Sequence, residues 1–208
     1  VNENETLLAK LISTAGEMYM SLGIKSVSMD EIAQKMGVSK KTVYTLVGNK
    51  EELITLVLEA DACEDLHVME ANHRSAKDAI DEFLLNSRYF IRQMRKISPA
   101  TMRDLQKYYP GIFLEKMKAH HDEFQNSIMS NLDRGMEEGL YRDDLDSELV
   151  ANFYVGMMLM VIDTKLFPAQ DRLLADIIKE LSVYHFHGIT NQFGRDRVEL
   201  YLKQEALE

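Results

Sequence analysis

Four lysines and no carboxylate lie between residues 35 and 50: Lys35, Lys40, Lys41 and Lys50. Set among them are the hydroxyls of Ser39, Thr42, Tyr44 and Thr45. Ammonium groups attract phosphate, and hydroxyls hydrogen-bond phosphate oxygens and base edges, so the segment suits a polyanion. The chain as a whole argues the other way, because 24 basic against 34 acidic residues leave it at −10. The distribution resolves the conflict. Residues 1–50 hold six lysines and five acids, a local +1, so residues 51–208 carry −11. A locally basic segment on an acidic body is the pattern of a protein that touches nucleic acid with one end.

The other residues capable of chemistry do not assemble into a reaction centre. His120 and His121 are adjacent, and His185 and His187 are two apart. Side chains at those spacings diverge on a helix and neither pair has a ligand at i+4, so no metal and no cofactor is expected. Asp143, Asp144 and Asp146 crowd one loop without the glycine and closing glutamate of a calcium loop, and helix capping accounts for them. The single cysteine, Cys63, excludes an internal disulfide. No nucleophile–base spacing or phosphate loop supports catalysis, so the chain is not expected to be an enzyme.

The elements that must position the lysines are short helices. Leu7, Leu8, Leu11, Ile12, Ala15, Met18, Tyr19 and Leu22 recur at helical spacing, and Gly23 ends that helix. Ser28 and Glu31 form a capping box that opens a second helix with Ile32, Ala33 and Met36 inward, closed by Gly37. Ser39 then caps a third, Lys40 to about Leu46, whose Val43 and Leu46 face inward. Two short helices across a tight glycine turn make a helix-turn-helix. Its second helix offers free amides, a positive dipole end and two ammonium groups at Ser39, Lys40, Lys41 and Thr42. Asn49-Lys50-Glu51-Glu52 opens a fourth helix to about Ala71.

Beyond it the pattern stays helical: residues 75–97, a short restart at Ser98-Pro99, one long helix from Ile112 to Glu138 ended by Gly139, then 146–165, 170–191 and a short segment after Gly194. With three prolines, ten glycines and no sustained strand alternation, the fold class is all-α. The expected division is a helix-turn-helix domain over 1–48, a connecting helix over 49–71 and a larger domain over 72–208. No apolar run approaches the roughly 18 residues of a membrane span. The acidic first residues are unlike a secretion signal, and a cytoplasmic protein with no membrane partner is expected.

The run from Gly23-Ile24-Lys25-Ser26-Val27-Ser28-Met29-Asp30-Glu31-Ile32-Ala33, through Gly37-Val38-Ser39-Lys40-Lys41-Thr42-Val43-Tyr44, to Asn49-Lys50-Glu51-Glu52-Leu53 closely resembles the TetR family of bacterial transcriptional regulators. The Ile-Ala pair, the Gly-Val-Ser turn, the Thr-x-Tyr and the Lys-Glu-Glu-Leu all fall at that family's spacing over about fifty residues. The chain departs from the family at Leu46 and Val47, where a His or Tyr and then a Phe are usual, so no contact is carried over to 46. The resemblance implies a homodimer that grips a palindromic operator in double-stranded DNA and is released by a small organic effector. It assigns DNA contact to Ser28, Ser39, Lys40, Lys41, Thr42, Tyr44, Thr45 and Lys50, with Tyr44 and Lys50 along phosphates.

The resemblance also places an effector among the middle helices and a dimer seam on the last two long ones. The richest polar and aromatic clustering there supplies Arg88, Tyr89, Arg92, Tyr109, Phe113, Met117, His121 and Phe124 as effector candidates, with Arg103, Tyr108 and His120 nearby in sequence. Phe153, Met157, Met158, Val161, Leu174, Ile178 and Leu181 are the dimer candidates, because apolar residues on more than one side of those helices suggest a second buried face. Two other readings stay open: an all-helical enzyme with a cavity among His, Arg and Tyr groups, and an adaptor that engages a protein through its acidic surface.

Overall fold

The computed structural model describes residues 3–161, 163, 166–168 and 172–205, except the side chains of 117 and 203–205. Eleven α-helices follow one another among these residues: α1 (Glu3–Leu22), α2 (Met29–Met36), α3 (Lys40–Leu46), α4 (Lys50–Ser75), α5 (Ala79–Lys96), α6 (Pro99–Tyr108), α7 (Pro110–Ala119), α8 (His121–Glu137), α9 (Ser147–Val161), α10 (Leu174–Ile189) and α11 (Gln192–Glu205). No β-strand is present among them, and one isolated bridge joins Tyr141 to Thr190.

The helices sort into two compact units, Val1–Asp65 with Lys96–His120, and Leu66–Arg95 with His121–Glu208. The first unit is the head. Its core is built from Leu11, Ala15 and Tyr19 of α1, Ile32 and Met36 of α2, Val43 of α3, and Leu53, Ile54 and Val57 of α4, all essentially buried. Burying nine such side chains supplies the hydrophobic drive that holds α2 and α3, which are individually too short to be stable alone. Leu105 of α6 completes the same core, with Tyr109, Ile112 and Phe113 packed around it. Segment 96–120, expected in the larger domain, thus clusters with the head.

The second unit is centred on Ile80 and Phe83 of α5, Leu132 of α8, Tyr154 of α9 and Phe186 and Ile189 of α10. At its middle lies a buried polar network. The Glu82 carboxylate, with no exposed surface, accepts from Arg134 and meets His73, each at 3.1 Å. Arg134 also donates to the carbonyls of His73 and Ala76, which end α4, and pairs with Glu138 at 2.7 Å. The single proton of the Tyr141 hydroxyl is shared between the Ala79 carbonyl at 3.1 Å and Asn131 Oδ1 at 3.0 Å. Gly135 lets the Tyr141 ring in, since a Cβ there would meet ring atoms at 2.1 Å.

The single long helix expected over Ile112–Glu138 is two helices, α7 and α8, interrupted at His120. No local breaker stands at Lys118-Ala119-His120-His121. The packing makes the break: α7 turns its apolar residues to the head core, while α8 serves the other core. The helix expected over 75–97 starts at Ala79, where Asp78 caps the Asp81 amide at 2.9 Å. The expected 170–191 helix runs Leu174–Ile189, and residues 165 and 170, which bounded two expected helices, lie outside the described residues.

Candidate nucleic-acid interface

Three local devices shape the reading motif. Ser28 accepts from the Glu31 amide at 3.2 Å while the Glu31 carboxylate accepts from the Ser28 amide at 2.7 Å, closing the capping box at the start of α2. Those bonds hold the Glu31 carboxyl below its usual range. Gly37, at φ 73°, ends α2 in the left-handed conformation, and the Val38 amide reaches back to the Ala33 carbonyl at 3.0 Å. Ser39 then caps α3, accepting from the Thr42 amide at 3.0 Å, with the two hydroxyls 2.8 Å apart. Val43 is buried completely, which fixes the rotation of α3 and leaves Lys41, Tyr44 and Thr45 on its exposed side. The Thr45 hydroxyl donates to the Thr42 carbonyl at 2.6 Å.

The four lysines of the motif are not equivalent. Lys40 pairs with Asp30 of α2 at 2.7 Å, and this hydrogen-bonded carboxylate raises the lysine's pKa. Lys35 and Lys41 are exposed and form no ion pair among the described residues. Lys50, expected along a phosphate, turns inward. Its ammonium donates to the carbonyls of Ile24 and Val27 at 2.6 and 2.5 Å and lies 5.9 Å from the Tyr19 ring centre. Partial burial lowers its pKa. The ammonium thus ties the loop between α1 and α2 to the start of α4.

At Leu46 and Val47 the structure answers the departure from the family pattern. Val47 is 2 % exposed and fills the head core, with Leu46 packed against it. The apolar anchor is present with a smaller side chain.

Helix α6, which sequence reasoning left out of the head, is stitched to it. The Ser98 amide donates to the Met20 carbonyl at 2.7 Å, Thr101 Oγ1 to the Tyr19 carbonyl at 2.7 Å, and the Lys25 amide to Asp104 Oδ2 at 2.8 Å. Open carbonyls at the end of α1 are satisfied from some eighty residues away. No local pattern could have signalled this. The same helix carries Tyr108, whose hydroxyl accepts from Lys25 Nζ at 3.1 Å.

The effector candidates divide between the units. Arg88, Tyr89 and Arg92 of α5 and His121 and Phe124 of α8 belong to the second. Phe90, missed in the sequence, joins part of this set, with ring centres 5.3 Å from Tyr89 and 6.0 Å from Phe124. Tyr109 and Phe113 belong to the first unit and pack on the head core. The side chain of Met117 lies outside those described. His120, in the first unit, sits 3.4 Å from Glu59, which also binds Lys116.

Among the dimer candidates, Val161 and Ile178 need correction: at 3 % and 2 % exposed they have no surface left for a partner. The chain's own core claims the inner side of each helix first. Met157 and Met158 pack on the second core, and Leu174 and Leu181 are half-buried. Phe153 is 58 % exposed, and Leu149 and Met160 of α9 and Val183 and Tyr184 of α10 are exposed as well.

A two-helix reading motif closed by reciprocal caps, with an exposed basic and hydroxyl-bearing second helix, is the architecture of a helix-turn-helix DNA-binding protein. Residues 11–57, which hold this motif, match the family model described as bacterial regulatory proteins, tetR family. The fold is shared with a transcriptional regulator from Cytophaga hutchinsonii, at 17% identity and a TM-score of 0.73, over 88% of this chain and 98% of that one. A TetR-family regulator from Agrobacterium tumefaciens aligns at 13% identity and a TM-score of 0.71, over 91% and 100%. A protein from Saccharomonospora viridis, solved in complex with choline, aligns at 16% identity and a TM-score of 0.65, over 90% and 100%. No curated protein matches the chain in sequence. No described helix is long and apolar enough to cross a membrane.

Proposed function

We propose that the chain acts as a homodimeric repressor that holds a palindromic operator and lets go when a small organic effector binds. The observation that carries the DNA part is the rotation of α3. With Val43 buried, Lys41, Tyr44 and Thr45 face outward together, the arrangement a recognition helix needs in a major groove. Ser39, Lys40 and Thr42 sit at the amino end of that helix, and Ser28 at the end of α2 that crosses the backbone. Lys50 acts indirectly, by fixing the loop ahead of Ser28.

Two reading heads are required for a palindromic site, and the exposed Phe153 of α9 is where a second copy docks. The effector reading centres on the α5–α8 aromatic cluster of Tyr89, Phe90 and Phe124, with Arg88 and Arg92 on α5 and His121 at the start of α8. The choline bound by the Saccharomonospora protein supports a small organic ligand as the class. The regulatory role is binding rather than catalysis.

The test is a duplex selected from a random pool and titrated with wild type, Lys41→Ala and Phe153→Asp. Lys41→Ala weakens binding with altered sequence preference, and Phe153→Asp yields a monomer in light scattering that retains only weak half-site binding. A wild-type chain that selects no sequence, or a Phe153→Asp variant that stays dimeric, overturns the corresponding part.

A further inference from the structure

The head carries a basic and aromatic patch outside the two helices of the reading motif. Tyr108 ends α6 with 42 % of its surface exposed. Lys25, in the loop before α2, lies over its ring at 4.6 Å, and Lys107 lies over the same ring at 5.4 Å. Arg103 is exposed one helical turn before Lys107 on α6, which puts the two cations on one face. Hydrogen bonding from Lys25 lowers the Tyr108 pKa, as expected beside gathered positive charge.

The patch gathers exposed cations that no ion pair neutralises among the described residues. Several cations of the chain are matched: Lys40 with Asp30, Arg74 with Glu70, Lys116 with Glu59, Arg134 with Glu82 and Glu138, Arg142 with Asp144. In a chain at −10, acids are in surplus. Yet Lys25, Arg103 and Lys107 form no ion pair among the described residues. Like charges one turn apart on a helix repel, and the nearby Asp104 carboxylate is buried and taken by the Lys25 amide, so the exposed ammonium and guanidinium groups are open to an outside anion.

We infer that Lys25, Arg103, Lys107 and Tyr108 form a second phosphate-binding surface that grips the duplex backbone alongside the recognition helix. The inference rests on the DNA-binding reading above. Continuity selects DNA as the partner. Lys25 stands three residues before Ser28, the cap of the helix that crosses the backbone in this motif. The loop carrying Lys25 is pinned from both sides, by Asp104 at the Lys25 amide and by Lys50 at the carbonyls of Ile24 and Val27. The patch therefore travels with the motif as one rigid piece of the head. It is also open surface, suited to a rail of phosphates, whereas a small anion is held in a concave site.

The experiment uses the full chain and a 40-base-pair random-sequence duplex, followed by fluorescence anisotropy across a sodium chloride series. Lys25→Ala and Lys107→Ala are each expected to weaken binding roughly tenfold near 0.1 M salt and to flatten the plot of log affinity against log salt by about 0.9. Lys107→Glu exceeds Lys107→Ala, and the variants melt like wild type because the side chains are exposed. Lys41→Ala is run in parallel. If it weakens binding while Lys25→Ala and Lys107→Ala match wild type in affinity and slope, the patch is not a DNA surface and the recognition helix stands. A wild-type chain that binds no duplex overturns both. Calorimetry with inorganic phosphate at fixed ionic strength supplies the remaining arm. Saturable phosphate binding lost in Lys107→Ala, with duplex binding unchanged, overturns the proposal in favour of a small-anion site.

Discussion

The reading motif of the head and the junction of α4 with α5 in the second unit satisfy polar groups at the ends of helices by opposite means. In the head's reading motif the partners are three residues apart: Ser28 with Glu31, Ser39 with Thr42, Asn49 with Glu52. Around the end of α4 and the start of α5 in the second unit, several come from elsewhere in the chain. Glu138 accepts the Ala79 amide across 59 residues, and Arg134 takes the last carbonyls of α4 across 58 to 61. Local caps tolerate the loss of one member, because water replaces an exposed partner. A buried long-range network does not, because nothing replaces the missing charge.

The sharpest way to break this contrast is Arg134→Met. It leaves the fully buried Glu82 facing only His73, and the expected loss is about 3–5 kcal/mol. Hydrogen exchange should show α5 and α8 amides losing protection while those of α1 to α3 keep theirs. Equal losses in both units would show that the network also holds the head. Gly135→Ala acts on the same region through sterics. A methyl 2.1 Å from the Tyr141 ring forces that ring out and costs about 3 kcal/mol, read as a drop in the urea midpoint.

The third probe is pH. His185 is buried between Phe83 and Tyr154, at 5.8 and 4.3 Å between ring centres, and burial pushes its pKa down to about 4. In the folded chain it stays neutral, while the unfolded chain takes up a proton below the ordinary value near 6.5. The stabilisation is therefore complete above about pH 6.5 and is lost as pH falls from there toward 4. The size is about 3 kcal/mol. His185→Phe should flatten the wild-type slope over that window, and an unchanged slope would refute the assignment. The smallest effect belongs to the head, where Ser39→Ala removes one exposed cap and costs about 1 kcal/mol in thermal unfolding.

The same contrast separates what was legible. The capping boxes, the glycine turn at Gly37 and the inward Val43 were readable, because each depends on residues within one helical turn of one another. Lys50 shows the limit of that reading. Its place at the start of α4 was correct, yet its direction depended on two carbonyls more than twenty residues earlier. The break at His120 was illegible for a related reason. The heptad-like run from Ile112 to Leu132 has no breaker, and only the existence of two separate cores divides it. Among the dimer candidates, periodicity marked apolar faces without telling which face the chain keeps for itself. Val161 and Ile178 went inward and Phe153 outward.

The sequence by itself determined the helical class, the helix-turn-helix with its caps and turn, and the basic segment on an acidic chain, since these follow from backbone geometry and charge over a few residues. Only the tertiary structure decided that α6 belongs to the head, that Lys25 and Lys107 share the Tyr108 ring, and that Glu82 is buried against Arg134. Each of those pairings spans more than fifty positions. Such contacts are chosen by which apolar faces bury together, and the polar partners are then fixed by where that packing leaves them.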